Sequence, residues 1–225
     1  MTQVGDTDSI ANLMQPEALG GRPAAGEDPI KREQILDGAL RVFMKMGFDA
    51  ASMNDITREA GVSKGTLYVY FKNKEDLFGA IIERQKLKIF GRLQDILQKD
   101  LPVAGTLHAF GVLFATHLLS DNTIGGMRMV IAVIDRMPGL ANMFMVAGPN
   151  SGPAMLASYL SKQVQLGNLQ SIDDPMMAGR QFGDLCLAGL FRPRLFGEMK
   201  TPPTGEMIEK NVASAIRLFL NTYGV

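Results

Sequence analysis

Residues 52–63 hold two helix starts with a helix stop between them, and a tight helical corner satisfies all three. Ser52-Met53-Asn54-Asp55 reads as a capping box. In that motif the serine hydroxyl accepts from a backbone N–H one turn on, and the acid reaches back to the serine N–H. The helix it opens buries Ile56 and Ala60 and stops at Gly61, a residue suited to the left-handed conformation that ends helices. Ser63 caps a second helix one short turn later, and on it Leu67 and Phe71 face the core together. Helices this short are not stable alone in water, so each must pack on the other and on its neighbours.

The neighbours are helices as well. Asp28 is an N-cap and Pro29 suits the first helical position; Ile35, Ala39, Val42 and Met46 then recur at helical spacing up to Gly47. Asn73 caps a long helix with Glu75 and Asp76 at its positive end, running through Leu77, Ile81, Leu93 and Ile96 toward Lys99. Further helices are expected at about 103–119, 123–137, 139–147, 149–166, 173–195 and 205–222. Met127-Arg128-Met129-Val130-Ile131-Ala132-Val133-Ile134 is apolar on nearly every face, which predicts a central helix. Strand alternation and internal repeats are absent, so the class is all-α.

A chain with 46% hydrophobic and 20% charged residues buries a core, which excludes global disorder. Its zero net charge divides unevenly: residues 1–28 carry −4, residues 29–100 carry +3 and residues 101–225 carry +1. Residues 1–27 show no apolar period and include the linker-like Gly20-Gly21-Arg22-Pro23-Ala24-Ala25-Gly26, so they read as a disordered acidic arm. The single cysteine, Cys186, forms no intramolecular disulfide and fits a reducing cytosol. The first twenty residues hold acids and no Lys or Arg, unlike a secretory signal. The uncharged windows 101–120 and 137–161 are broken by Pro and Gly and read as buried helices, not membrane spans. A cytoplasmic protein without membrane contact is expected.

Two short helices joined by a turn containing Gly form the helix-turn-helix pattern, whose second helix enters the DNA major groove. That helix reads Ser63-Lys64-Gly65-Thr66-Leu67-Tyr68-Val69-Tyr70-Phe71-Lys72-Asn73-Lys74. With Leu67 and Phe71 buried, Ser63, Lys64 and Thr66 are placed to donate to bases or phosphates, and Gly65 lets the backbone approach. Tyr68 and Tyr70 offer hydroxyls and flat apolar surface. Lys72 and Lys74 add charge, and the start of the following helix presents free N–H groups to a phosphate.

At these residues, and over 31–78 as a whole, the sequence resembles the DNA-binding domain of the TetR family of bacterial transcriptional regulators. The segments that carry the resemblance are Ala51–Ile56 and Gly61–Leu77. The resemblance implies a homodimer that binds double-stranded operator DNA, usually represses, and is released by a small-molecule effector held in its C-terminal domain. Carried over by position, it assigns Ser63, Lys64, Gly65, Thr66 and Tyr68 to bases or nearby phosphates, and Ser52, Tyr70 and Lys74 to the DNA backbone. Position 69, often aromatic or His in the family, is Val69 here. The implied organisation is an arm over 1–27, a three-helix helix-turn-helix domain over 28–76 and a helical ligand-binding and dimerisation domain over 77–225. In the latter half the likeness is one of helical layout and of features such as Arg136-Met137-Pro138-Gly139-Leu140.

Ten of the 15 methionines lie between Met127 and Met207, among Phe110, Phe114, Phe144, Phe182 and Phe191. Flexible thioethers fill cores and line adaptable apolar pockets alike. His117 sits on the apolar stripe of Val103, Leu107, Phe110 and Phe114, as a core histidine or as a polar anchor in a pocket. The candidate ligand-binding set is Phe110, Phe114, His117, Met127, Met137, Phe144 and Phe182, around a largely apolar molecule. The two last long helices carry apolar faces, Phe182, Leu185, Gly189 and Leu190 on one and Ile208, Val212, Ala215, Ile216 and Phe219 on the other. In the resembled family such a pair forms the dimer interface.

Enzyme readings are weaker. Gly61-Val62-Ser63-Lys64-Gly65 matches the esterase pattern G-x-S-x-G, which needs a preceding strand. Here a capped helix precedes it, and Ser63 serves as an N-cap. His108 and His117 point about 180° apart on one helix and cannot share a metal. Asp173-Asp174 before Pro175 reads as a helix cap, and Cys186 as a buried thiol. No catalytic residue, metal or cofactor is expected. The rival reading is a sequence-neutral DNA-associated or scaffold protein without a ligand.

Overall fold

Side-chain caps set the helix boundaries in the computed structural model, which describes residues 26–139, 142 and 151–225. The arm over 1–27, except Gly26 and Glu27, the body of the helix expected at 139–147, and Phe144 lie outside the described residues. The described residues form ten helices and no strand; one isolated bridge pairs Leu169 with Gly224.

Helix α1 (Pro29–Met46) starts on Asp28, whose carboxylate accepts from the N–H groups of Ile30 and Lys31. The capping box at Ser52 and Asp55 opens α2 (Met53–Ala60), and Gly61 ends it in the left-handed region at φ 64°. Ser63 accepts from the Thr66 N–H at the start of α3 (Lys64–Tyr70). Asn73 caps α4 (Lys74–Leu97). Next come α5 (Val103–Leu118) and α6 (Asp121–Val133), the latter capped by Ser120. Helix α7 (Gly152–Gln165) is capped by Ser151, α8 (Pro175–Cys186) by Asp174 and α10 (Gly205–Tyr223) by Thr204, with the short α9 (Phe191–Phe196) between the last two.

Two expectations are corrected. The helix expected over 173–195 is α8 and α9, broken where Gly189 takes φ 72°. The break is stabilised from both sides. Asn211 of α10 donates to the Ala188 carbonyl at 2.7 Å. The buried guanidinium of Arg194 on α9 donates to the carbonyls of Leu119, Met199 and Lys200 and pairs with Asp121. The apolar helix around Met127–Ile134 is not central. Met129, Val130 and Val133 are buried, but Ile131 and Ile134 face outward, because this helix packs on α1, α5 and α9 through other positions and, among the described residues, presents these two side chains to the surface.

The core falls into two clusters. One is built from α1 to α3, the first turns of α4 (Leu77, Phe78, Ile81, Ile82) and Met129, Val130 and Val133 of α6. The other joins the distal half of α4 (Ile89, Leu93) to α5, α7, α8 and α10, with Phe182 and Phe219 in edge contact. Helix α4 runs through both. Arg84, buried midway along it, binds Glu33 at 3.0 Å and Asp37 at 2.7 Å on α1. No single helix among the described residues is long and apolar enough to cross a membrane; only α5 and α6 together pass by length and composition, across a bend of 54°.

Candidate functional site

Helices α2 and α3 are held to α1 by close packing and a few polar ties. Gln34 donates to the Ala60 carbonyl at 2.7 Å, and Arg41 pairs with Glu59 at 2.6 Å. Leu67 and Phe71 point into the cluster. This leaves Ser63, Lys64, Gly65, Tyr68 and Val69 exposed on one continuous face, with Thr66 at its edge. The Ser63 and Thr66 hydroxyls lie 2.8 Å apart at the start of α3. A Cβ placed on Gly65 would find nothing closer than the Ser63 hydroxyl at 3.8 Å. Nothing inside the chain therefore requires glycine at position 65, so a requirement for it must come from outside.

Three other predicted contacts are placed differently. The Tyr70 hydroxyl accepts from the Asp28 N–H at 3.2 Å and lies 3.3 Å from the Asp28 carbonyl, tying α3 to the start of α1. The Lys74 ammonium reaches the carbonyls of Phe48 (2.9 Å) and Asp49 (3.1 Å) and sits 4.7 Å over the Phe48 ring. Ser52 is engaged with Asp55, and that hydrogen bond is the main reason the Asp55 carboxyl is held below its ordinary range. In this conformation Tyr70, Lys74 and Ser52 brace the corner that carries α3. The Ser52–Asp55 capping box is legible in the sequence, whereas for Tyr70 and Lys74 the sequence shows the residue types but not the partners, because each partner is a backbone group brought near by folding.

A cavity of about 250 Å³ opens where α4, α5, α6 and the start of α7 meet. Its apolar wall includes Phe78, Ile81, Ile82, Ile89, Phe90, Leu93, Phe114 and Met129, and its polar groups include Gln85, Lys86, His117, Asn122 and Thr123. Of the candidate ligand set, Phe114 and His117 line it. Phe110 lies behind Phe114, stacked on it at 5.9 Å. Phe182 is fully buried against Phe219, Met127 is outside the wall, and Met137 packs against the N-terminal cluster instead. Reading the C-terminal half alone misses the largest share of the wall, which comes from α4. The signal for it was the apolar run Ile81, Ile82, Ile89, Phe90 and Leu93 along the 24-residue α4.

Burial disfavours the charged form of His117, and the nearby Arg92 pushes its pKa further down. The ring is therefore neutral at pH 7 and offers one donor and one acceptor. Burial also lowers the pKa of Lys86. His108 faces outward to Glu209 at 2.6 Å, so the two histidines diverge. Cys186 is a buried free thiol whose pKa is pushed up to about 12, which leaves it inert. No group of three or more potential metal ligands occurs among the described residues.

Comparison with known proteins agrees with this architecture. Residues 35–81 match the model for bacterial regulatory proteins of the tetR family, and residues 105–225 match the model for the C-terminal domain of AefR-like transcriptional repressors. The HTH-type transcriptional regulator AcrR of Shigella flexneri is 41% identical over 71 residues, 32% of this chain and 33% of that protein. The chain thus aligns with about a third of the length of that curated relative. A TetR-family regulator from Mesorhizobium loti superposes with a TM-score of 0.76 at 25% identity, over 87% of this chain and 98% of the other. The flavonoid-responsive regulator FrrA does so at 0.64 and 29%, over 88% and 98%. With the recognition-helix corner at one end and a C-terminal match spanning more than half of its residues at the other, the chain belongs to the TetR family of bacterial transcriptional regulators.

Proposed function

We propose that this regulator is a homodimeric repressor that reads operator DNA through α3 and is released by a small, largely apolar molecule held in the cavity. The observation that carries this reading is a shared wall. Phe78, Ile81, Ile82 and Met129 belong both to the cluster that seats α1 to α3 and to the lining of the cavity. A molecule filling the cavity bears on side chains that also position the helix-turn-helix. Its tighter binding to one conformation shifts the population toward that conformation. Release follows when the two α3 helices of the dimer no longer match successive major grooves. That FrrA is flavonoid-responsive supports a small-molecule response here.

Ser63, Lys64, Gly65, Thr66 and Tyr68 are the proposed contacts to bases and nearby phosphates. Ser52, Tyr70 and Lys74 border the DNA backbone while bracing the corner. The proposed DNA-binding unit spans 28–76 and the ligand-binding and dimerisation unit 77–225, with α8 and α10 as the dimer interface. One α3 reads too few base pairs for useful specificity, so the dimer is part of the function.

The test is binding of the full chain to the DNA flanking its gene, against unrelated competitor DNA at fixed physiological salt. Tight binding that survives the competitor and weakens with an effector is the expected result. Equal affinity for both DNAs would favour a sequence-neutral binder. Tyr68→Ala is expected to weaken operator binding by about 1–3 kcal/mol, the range of a lost base contact, and to leave the dimer intact in sedimentation. Unchanged affinity would remove Tyr68 from the interface.

A further inference from the structure

Two glycines frame one aromatic ring of the cavity wall. Phe114 follows Phe110 by one turn of α5, and the two rings stack at 5.9 Å with 17° between their planes. One edge of the Phe114 ring faces Gly152 at the start of α7, where a Cβ would lie 3.5 Å from Cε2 and 3.7 Å from Cδ2. The other edge faces Gly183 on α8, where a Cβ would lie 3.2 Å from Cε1 and 3.5 Å from Cζ. Gly152 lines the cavity, whereas Gly183 is buried behind the ring. The ring therefore stands between the cavity and the backbone of α8. Gly183 sits inside a helix, where glycine is a poor helix former, and its φ is not positive. What glycine provides at this position is room for the ring.

From this we infer that Phe114 sets the size limit of the effector: its ring closes the cavity toward α8, and Gly183 lets it stay retracted. The inference rests on the ligand-responsive reading above and adds the size class to it. About 250 Å³ exceeds the roughly 150 Å³ that holds benzene and falls just below the roughly 300 Å³ where drug-sized pockets begin. A medium-length chain or a small fused ring system fills such a space, and a longer body directed at α8 meets the ring. Each buried methylene strengthens binding about fourfold, but only while there is wall to bury it against. The cavity is partly open to solvent, so methylenes beyond its depth stay in water and add nothing. A smaller side chain at position 114 joins the cavity to the space over Gly183 and deepens it. A methyl group at position 183 acts in the opposite sense. Its 3.2 Å approach to Cε1 is closer than the roughly 3.5–4.0 Å at which carbon atoms pack best, so one partner must move. Helix α8 is already seated on α7 one turn earlier, where a Cβ on Gly179 would lie 3.0 Å from the Pro153 carbonyl oxygen. The Phe114 ring has the cavity beside it and gives way into that space.

The experiment is calorimetric titration of the full-length protein with the straight-chain 1-alkanols from hexanol to decanol, a neutral series that differs only in length. Wild-type affinity is expected to rise about fourfold per methylene and then stop rising at one chain length. Phe114→Leu is expected to move that break at least one carbon longer, and Gly183→Ala at least one carbon shorter. Circular dichroism establishes that each variant is folded; if Phe114→Leu fails to fold, Gly183→Ala decides alone. A break that stays in place in a folded variant, or a wild type with no break up to decanol, overturns the assignment of Phe114 while leaving a ligand-binding cavity in place. Absence of binding by every alkanol overturns it together with the cavity-ligand reading. The two failures are thereby distinguishable.

Discussion

Arg194→Met lowers the unfolding free energy by about 3–5 kcal/mol, because the buried guanidinium serves carbonyls on separate segments. Its Nε donates to Leu119 at the end of α5, and one Nη reaches Met199 and Lys200 in the loop before α10. Its other Nη pairs with Asp121 at the start of α6. The residue is only 2% exposed, so these partners stand in for lost water. Methionine fills a similar volume but donates nothing. The Leu119 carbonyl, on a fully buried residue, then has no donor, and each such orphan costs about 1–3 kcal/mol. Asp121 is largely exposed and rehydrates at little cost, and the Met199 and Lys200 carbonyls lie nearer the surface. That distribution keeps the total near the middle of the range. In a chain this long a loss of this size lowers Tm by about 10 °C. Arg194→Lys is expected to recover little, since one ammonium cannot span the same three segments as a planar fork. Denaturant unfolding of the wild type and both variants decides the matter. A Met variant within about 1 kcal/mol of wild type would show that the loop and the α5–α6 corner hold without this residue.

Arg194 also marks where sequence reading stopped. The caps at Asp28, Ser52, Ser63 and Asn73 were legible because a cap acts within four residues of itself. Which face of α3 turns outward was legible for the same reason, since Leu67 and Phe71 are the buried positions. Arg194 looked like one more basic residue in a continuous helix, because its partners are backbone carbonyls up to 75 residues away. Tyr70 and Lys74 are similar: their residue types suggested phosphates, while folding placed Asp28 and the α1–α2 loop within reach. The cavity was half legible. Phe114 and His117 follow from one stripe on α5, but the wall contributed by α4 depends on how two helices cross. A pattern along one helix shows which face is apolar and does not show whether another side chain or an empty space lies against it.

Gly38→Ala is expected to destabilise the DNA-binding unit by about 3 kcal/mol, at the upper end for overpacking, and to abolish operator binding under conditions where the wild type is saturated. Helix α1 crosses α2 at this glycine. A Cβ at position 38 would lie 2.6 Å from the Ala60 Cβ, 2.7 Å from its Cα and 2.8 Å from its N. The obstacle is mainly backbone, so no rotamer change relieves it and the two helices must separate. Separation pulls on the Gln34 bond to the Ala60 carbonyl and on the Gly61 turn, and so tilts α3, which has only seven residues and is positioned through α2. Two comparisons isolate the cause. Ala60→Gly added to Gly38→Ala removes one of the three clashes and leaves the backbone ones, so it is expected to restore little. Gly125→Ala meets the same nominal 2.6 Å, but against the Cε and Sδ of Met44, the free end of a flexible side chain. Met44 can swing away, and replacing a helical glycine recovers up to about 1 kcal/mol, so that variant is expected to fold and bind DNA as the wild type does. Hydrogen exchange on α1 to α3, together with operator titration, checks both. Normal binding by Gly38→Ala would mean that the α1–α2 crossing tolerates displacement and that α3 is placed by α4 instead.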